Sequence, residues 1–296
     1  MAVLEINNLI KRYGSITAVN NLSLEVEEGN IFGILGPNGS GKTTTLGTIL
    51  GIIKADSGTY SWFNGKYGDS DEARKHIGAL LETPNFYPYL NAIDNMDIIA
   101  HIKKADKSNL DDLLKLVNLY DRRFSSFQTY SLGMKQRLAI AGALVGDPDV
   151  LIFDEPTNGL DPEGIAEVRD TIKKIAARGK TIFMASHILV EVEKVCTHVA
   201  IIKNGNLLAV GNVGSIINQD AVIEVAGEDN QQIINLLSPL DMVTNIELID
   251  GVVRFNLDED YSTLDINMIA IKNNIVLTHL VTKQKSLEDE FLEITK

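Results

Sequence analysis

Apolar positions along this 296-residue chain follow three rhythms, and each predicts a different kind of element. Leu4-Glu5-Ile6-Asn7-Asn8-Leu9 and Leu22-Ser23-Leu24-Glu25-Val26 alternate apolar with polar residues, the period of strands that bury one face. They predict an antiparallel ribbon early in the chain. Ile31-Phe32-Gly33-Ile34-Leu35, Val150-Leu151-Ile152-Phe153 and Thr181-Ile182-Phe183-Met184-Ala185 are instead nearly continuous apolar runs, as in parallel strands covered on both faces. A helical period runs through Thr43 to Ile49, Ala92 to Lys103, Asn109 to Val117, Leu132 to Val145 and Glu163 to Ala177. Ser108 and Asp111 have the spacing of a capping box for the third of these. Thr59 to Phe63 and Ile77 to Leu81 read as strands around a polar loop, with Glu82 closing the second. Val199 to Ile202 and Leu207 to Val210 read as a hairpin turned at Asn204-Gly205.

The rhythm changes after Asn212. Ala221 to Ala226, Met242 to Asp250, Gly251 to Leu257 and Ile275 to Thr282 alternate like strands, with Asp250-Gly251 as a hairpin turn. Helical periods lie at Gln231 to Leu237, Leu264 to Lys272 and Ser286 to Ile294. The order β-α-β-β-α-β fits a small α+β ferredoxin-like domain with one helix added. The chain therefore divides into an α/β domain over residues 1–215, with a helical insert at about residues 90–145, and a smaller domain over residues 216–296.

Chemistry enters at Gly36-Pro37-Asn38-Gly39-Ser40-Gly41-Lys42-Thr43, which fits the phosphate-binding P-loop pattern GxxxxGK[ST] at every fixed position. The string lies between an apolar strand and a helix, the context the pattern requires. Gly36, Gly39 and Gly41 let the backbone approach a ligand closely, so N–H groups and a positive helix end surround phosphates. In that frame Lys42 holds the β- and γ-phosphates and the Thr43 hydroxyl ligates magnesium, with Thr44 beside it in the nucleotide-binding set. Asp154-Glu155 ends an apolar strand, where ligands bind in open α/β sheets. Asp154 suits magnesium coordination, and Glu155 suits orienting or deprotonating an attacking water. Ser186-His187 ends another such strand, and His187 is either a structural strand-end residue or, at the carboxyl edge of the same sheet, a hydrogen-bond partner for a terminal phosphate oxygen. Ser131 and Gly133, at the start of a helix, form a second candidate anion site. Tyr13 is either a packed loop residue or a platform for a purine base. The aromatic loop Thr83 to Leu90 either tucks under the domain or presents a surface to a partner.

Composition narrows the class. A net charge of −13 disfavours a broad electrostatic footprint on nucleic acid or anionic lipid, so no nucleic-acid partner is expected. The single cysteine, Cys196, excludes an intrachain disulfide and fits a reducing cytosol. No apolar run approaches the ~18 residues of a membrane span, and the start of the chain has no signal-peptide core. Work at a membrane would need another chain to cross it.

The order of P-loop, helical insert, Ser131/Gly133 element, Asp154-Glu155, Asp161 loop and His187 resembles the ATP-binding subunit of ABC transporters, over about residues 2–215. GALLETPNFYPYL and YSLGMKQRL are similar to the bacitracin-resistance type of single-cassette ATPase. The resemblance implies that Tyr13 stacks on adenine, that Glu155 activates water and that His187 senses the γ-phosphate. It also implies that Ser131 and Gly133 contact ATP held by the other subunit of a dimer, and it adds Asp161 to the nucleotide-binding residues. The implied protein is an ATPase that uses ATP and Mg2+, pairs with itself or a similar cassette, and sits at the inner face of the cell membrane through a separate permease. Two positions depart from the broad ABC pattern. Glu82 stands where most cassettes have glutamine at the metal, and Leu132 and Met134 replace a glycine and a glutamine of the LSGGQ signature. Another P-loop phosphotransferase or GTPase would leave Ser131, Gly133 and His187 unexplained. An ABC-type ATPase acting on DNA or ribosomes would bring tandem cassettes, coiled coils or basic arms.

Overall fold

The computed structural model describes residues 1–68, 70–217, 222–258, 260–283 and 286–295. Strands β1 (Ala2–Tyr13) and β2 (Ile16–Glu27) form the early ribbon, each extending well beyond its alternating segment. The alternation breaks at Asn7-Asn8 and Asn20-Asn21 because the ladder is irregular there. Asn8 and Asn21 take positive φ (49° and 52°), and the Asn8 side-chain amide donates to Asn21 Oδ1 at 2.9 Å. Asparagine tolerates that conformation, which lets a strand continue past a bulge.

β3 (Ile31–Leu35) runs into the P-loop and α1 (Lys42–Ile49) leaves it. β4 (Ser57–Trp62) pairs with β1 to complete an antiparallel sheet of order β2-β1-β4. α2 (Asp71–Lys75), capped by Ser70, precedes β5 (Ile77–Leu80). β4 and β5, expected as neighbours around a polar loop, thus belong to different sheets with a short helix between them. Glu82 lies past the end of β5, at φ 56°.

The helical block comprises α3 (Ala92–Lys103), α4 (Leu110–Leu116) and α5 (Leu132–Leu144). The capping box at Ser108 and Asp111 does not form. Asn109 is the N-cap and makes no side-chain cap bond, because the Ser108 hydroxyl is drawn back to Asp106 Oδ2 at 2.5 Å. Then follow β6 (Val150–Asp154), α6 (Pro162–Ala176), β7 (Thr181–Ser186), α7 (Leu189–Val195), β8 (His198–Lys203) and β9 (Asn206–Asn212). α7 had no sequence expectation.

The large sheet has the order β5-β6-β7-β3-β8-β9, parallel except for the edge strand β9. Every residue of β3, β6 and β7 is buried, which explains their unbroken apolar runs. One core joins Leu4, Ile6 and Leu24 of the ribbon to Leu46 and Ile49 of α1 and to Ile34, Ile152 and Phe183 of the large sheet. Each such side chain contributes roughly 1.5–3 kcal/mol by leaving water. That shared core anchors the P-loop helix between two sheets.

The chain separates into one unit of Met1–Val213 with Ile294–Lys296 and a second of Gly214–Glu293. After α8 (Val213–Ile216), the second unit contains β10 (Val222–Gly227), α9 (Asn230–Leu237), β11 (Val243–Ile249), β12 (Val252–Leu257), α10 (Thr263–Lys272), β13 (Leu277–Lys283) and most of α11 (Leu287–Ile294). Ala221, the first residue of an expected strand, and Lys296, the last of the expected domain, lie outside the described residues. The sheet order β11-β12-β10-β13, antiparallel throughout, is the ferredoxin-like arrangement. Asp250 and Gly251 turn the β11–β12 hairpin with φ of 51° and 78°.

Candidate functional site

The carboxyl edge of the large sheet gathers the polar residues that the sheet itself has no use for. At the end of β3 the chain must turn beneath other backbone: a Cβ on Gly36 would stand 2.2 Å from the Ile202 carbonyl oxygen and 2.4 Å from Ser40 Oγ. A Cβ on Gly41, at φ 108°, would stand just as close to the Ala18 carbonyl oxygen. Pro37, Asn38 and Gly39 form the exposed crest of the loop, whereas Ser40 is buried with its hydroxyl unpartnered. The loop is braced from outside the motif, since Gly205 N–H donates to the Ser40 carbonyl at 2.9 Å. The sequence marked Gly205 as a hairpin turn only. Its second role shows no local signal.

Lys42 is buried, and its ammonium donates to the carbonyls of Gly36 at 2.7 Å and Pro37 at 3.3 Å. It also lies 3.5 Å from Glu155 Oε1. Glu155 takes φ 49°, unusual for a residue with a side chain, and its N–H donates to the Ala185 carbonyl at 2.9 Å. That kink aims the carboxylate across the edge, where Oε2 meets His187 Nδ1 at 2.8 Å and accepts from the His187 N–H at 3.3 Å. His187 is exposed, so one ring edge stays open to a ligand.

Asp154 ends β6 almost fully buried. Burial raises its pKa above the usual carboxylate range; the Thr43 hydrogen bond opposes this, the Glu155 charge adds to it, Lys42 opposes it, and Glu82 adds a smaller upward push. Its Oδ1 has no hydrogen-bond partner. A buried, unsatisfied carboxylate oxygen beside a threonine hydroxyl is a pair of hard oxygen donors, the chemistry that suits magnesium. Among the described residues no group of three or more His, Cys, Asp or Glu side chains forms a ready cage, so a cation held here would draw on Thr43 and Asp154 together with ligand oxygens. The exposed Glu82 carboxylate is close enough for Asp154 to feel its charge.

A second cleft, of about 320 Å3, brings Ser131, Leu132 and Gly133 together with Gly159, Leu160 and Asp161. Both helix starts there are capped: Ser131 Oγ accepts from Met134 N–H at 3.2 Å, and Asp161 Oδ1 from Gly164 N–H at 3.0 Å. A Cβ on Gly133 would meet only Gly164 Cα, at 3.6 Å, so packing within the chain does not demand a glycine here. None of the P-loop residues lines this cleft. The edge thus unites Lys42, Thr43, Glu82, Asp154, Glu155 and His187, whereas Ser131, Gly133 and Asp161 line a separate cleft. Thr44, half-buried in the first turn of α1, lends its carbonyl to Thr48 Oγ1. Tyr13 closes β1 at the ribbon turn, the residue 48% exposed and the Lys11 ammonium 5.3 Å from its ring centroid.

Arg137 is a positioning residue that the motif reading passed over. Its buried guanidinium donates to the Val117 and Asn118 carbonyls at 2.9 and 3.1 Å and pairs with Glu167 at 3.1 Å, tying α5 to α4 and α6. An arginine on an otherwise apolar helix face was the available signal. In the aromatic loop the outcome is divided: Phe86 packs on Phe127 with ring centroids 5.1 Å apart, while Tyr87 and Tyr89 are exposed.

Comparison with known proteins matches residues 19–158 to the family described as ABC transporter. The bacitracin transport ATP-binding protein BcrA of Bacillus licheniformis is 37% identical, over 99% of this chain and 97% of that protein. The structure of cbiO1 from Clostridium perfringens, part of the ABC transporter complex cbiONQ, superposes with a TM-score of 0.67 at 27% identity, covering 80% of this chain and 96% of that one. A dimeric post-hydrolysis structure of the ATP-binding cassette MJ0796 bound to ADP and Pi gives a TM-score of 0.63 at 25% identity, covering 71% and 98%.

Proposed function

The chain belongs to the ABC transporter family as an ATP-binding, ATP-hydrolysing transport subunit, and from that premise we propose that it works as one half of a pair closing around two MgATP molecules. The observation that carries this reading is the division of the site. The Ser131, Gly133 and Asp161 cleft shares no lining residue with the P-loop, and a Cβ on Gly133 would make only an ordinary contact inside the chain. A second copy or a similar cassette, facing the first, brings that cleft to the phosphates held on the P-loop. The dimeric form of MJ0796 supports the arrangement.

In the closed pair the P-loop amides and Lys42 bind the phosphates, and Tyr13, already exposed, takes the adenine. Thr43 and Asp154 would hold magnesium, with Glu82 close enough to add its charge, and the ion would supply charge neutralisation for the phosphates. Glu155 accepts the proton of the attacking water. His187 fixes the Glu155 carboxylate through the 2.8 Å contact and reaches the γ-phosphate with its open edge. Among the described residues no helix is long and apolar enough to cross a membrane. A separate permease therefore carries the transported molecule, and it holds this subunit at the inner face of the cell membrane. The exposed Tyr87 and Tyr89 suit contact with it.

The test is Ser131→Arg, which places a bulky cation at the second cleft and leaves the P-loop untouched. ATP should still bind the monomer, while the ATP-dependent shift to a dimer on a sizing column disappears. A variant that dimerises normally with ATP would refute the composite site.

A further inference from the structure

Helix α10 buries Ile266 and Ala270 on its inner face and turns a second apolar stripe outward. Leu264, Met268 and Ile271, at 63%, 45% and 63% exposure, repeat at the i, i+4, i+7 spacing of one helix face. Tyr261, just before the helix, and Val276, just after it, are exposed as well. A lone exposed apolar residue is ordinary, whereas a stripe the length of a helix marks a contact. Together these side chains leave on the order of 500 Å2 uncovered, as much as the largest patch on a typical monomer.

The stripe complements itself. Turned end for end about a twofold axis at Met268, α10 of one copy sets Leu264 against Ile271 of the other, and Tyr261 meets Val276 by the same rotation. The charges obey that axis too. Asp265 and Lys272 are seven residues apart, close to two full turns, and therefore lie on one flank of the stripe. The rotation keeps that flank on the same side of both helices, so Asp265 of each copy stands beside Lys272 of the other. The hydroxyl and the N–H of Ser262 both donate to Asp265 Oδ2 at 2.8 Å, which holds this carboxyl below its usual pKa and keeps it charged. A parallel pair would set Asp265 on Asp265 instead. An anionic lipid surface would meet Asp258, Asp260 and Asp265 at the start of the helix and be repelled. Two copies face to face cover about 1,000 Å2 in all, enough for a specific contact and well short of an obligate dimer.

We propose that α10 is a self-association element that packs antiparallel on α10 of a second copy, with Asp265 paired to Lys272 across the twofold axis. The contact needs no nucleotide and is separate from the MgATP-dependent pairing of the cassettes.

The experiment is sedimentation equilibrium of the full chain without nucleotide. A contact of this size should give a monomer–dimer equilibrium with a Kd on the order of 10–100 μM, so the chain is monomeric at the dilution of a sizing column and dimeric at several hundred micromolar. Met268→Glu, at an exposed position, sets two carboxylates on the axis and should weaken association at least about 100-fold, with melting temperature and ATP affinity unchanged. Lys272→Glu and Asp265→Lys should each weaken it about tenfold, and an equimolar mixture of the two should restore it, because every charge then meets its opposite. If Asp265→Lys does not fold, Met268→Glu and Lys272→Glu decide the matter. Ser131→Arg, aimed at the nucleotide-dependent pairing, should leave this association intact. A chain that stays monomeric at several hundred micromolar overturns the proposal, as do association beyond a dimer, an unaffected Met268→Glu or Lys272→Glu, and a mixture no stronger than its folded components. Loss of the association in Ser131→Arg would assign it to the cassettes and overturn it equally.

Discussion

Replacing Glu155 by glutamine changes one oxygen to an amide and removes one charge from the crossing point of the sheet edge. In the intact chain that carboxylate serves Lys42 at 3.5 Å and His187 at 2.8 Å. Glutamine keeps an acceptor for His187, and Lys42 retains the Gly36 and Pro37 carbonyls, so the folded state should lose only about 1 kcal/mol. The chemistry should lose far more. Without a base the rate falls about 10²- to 10⁴-fold, which is roughly 2.7–5.4 kcal/mol of barrier at 1.36 kcal/mol per decade. Phosphate release at saturating MgATP measures the rate, and a thermal melt on the same preparation measures the fold. The variant should also accumulate as an ATP-bound dimer, because closure does not need the base. A turnover within about threefold of the parent, with the melt unchanged, would refute the base role of Glu155. A collapsed melt would assign the lost activity to folding.

Lys42→Ala should abolish hydrolysis and greatly weaken ATP binding in a fluorescent-nucleotide titration, since it removes the buried ammonium at the P-loop; unchanged turnover would sink the P-loop assignment. Glu82→Gln should remain an active ATPase and reach half-saturation at about fivefold lower MgATP, because a charge worth roughly 1 kcal/mol in a solvated setting leaves the phosphate site; complete loss of hydrolysis would make Glu82 a catalytic carboxylate. Lys103→Met should lower the melting temperature, because Lys103 Nζ donates to the Ala143 and Val145 carbonyls at 3.3 and 2.9 Å and their loss costs about 1–3 kcal/mol. Burial holds the Lys103 pKa below its ordinary 10.5, so its linked stability is complete above that value and is lost as pH falls through the folded pKa. The melting gap between parent and Lys103→Met should therefore widen as pH rises toward 10.5, and a gap that narrows would contradict the burial argument.

The family and the fold class were legible in the chain because they rest on local rules. A P-loop string between an apolar run and a helix needs no knowledge of the rest of the molecule. The runs at β3, β6 and β7 are apolar throughout because both their faces are covered. The ferredoxin-like order followed from period and turn residues such as Asp250-Gly251. Tertiary structure decided whatever depended on approach between distant segments. The alternation of β4 and β5 could not say that they join different sheets, since pairing is a long-range choice. The capping spacing at Ser108 lost to a neighbour, Asp106, that competed for the same hydroxyl. Gly36 and Gly41 are required as much by Ile202 and Ala18 as by any ligand, and neither contact leaves a mark near the motif. The meeting of Lys42, Glu155 and His187, from three strand ends far apart in sequence, likewise exists only once β3, β6 and β7 lie side by side. Periodicity records which face of an element is buried, and it carries no record of what that face is buried against.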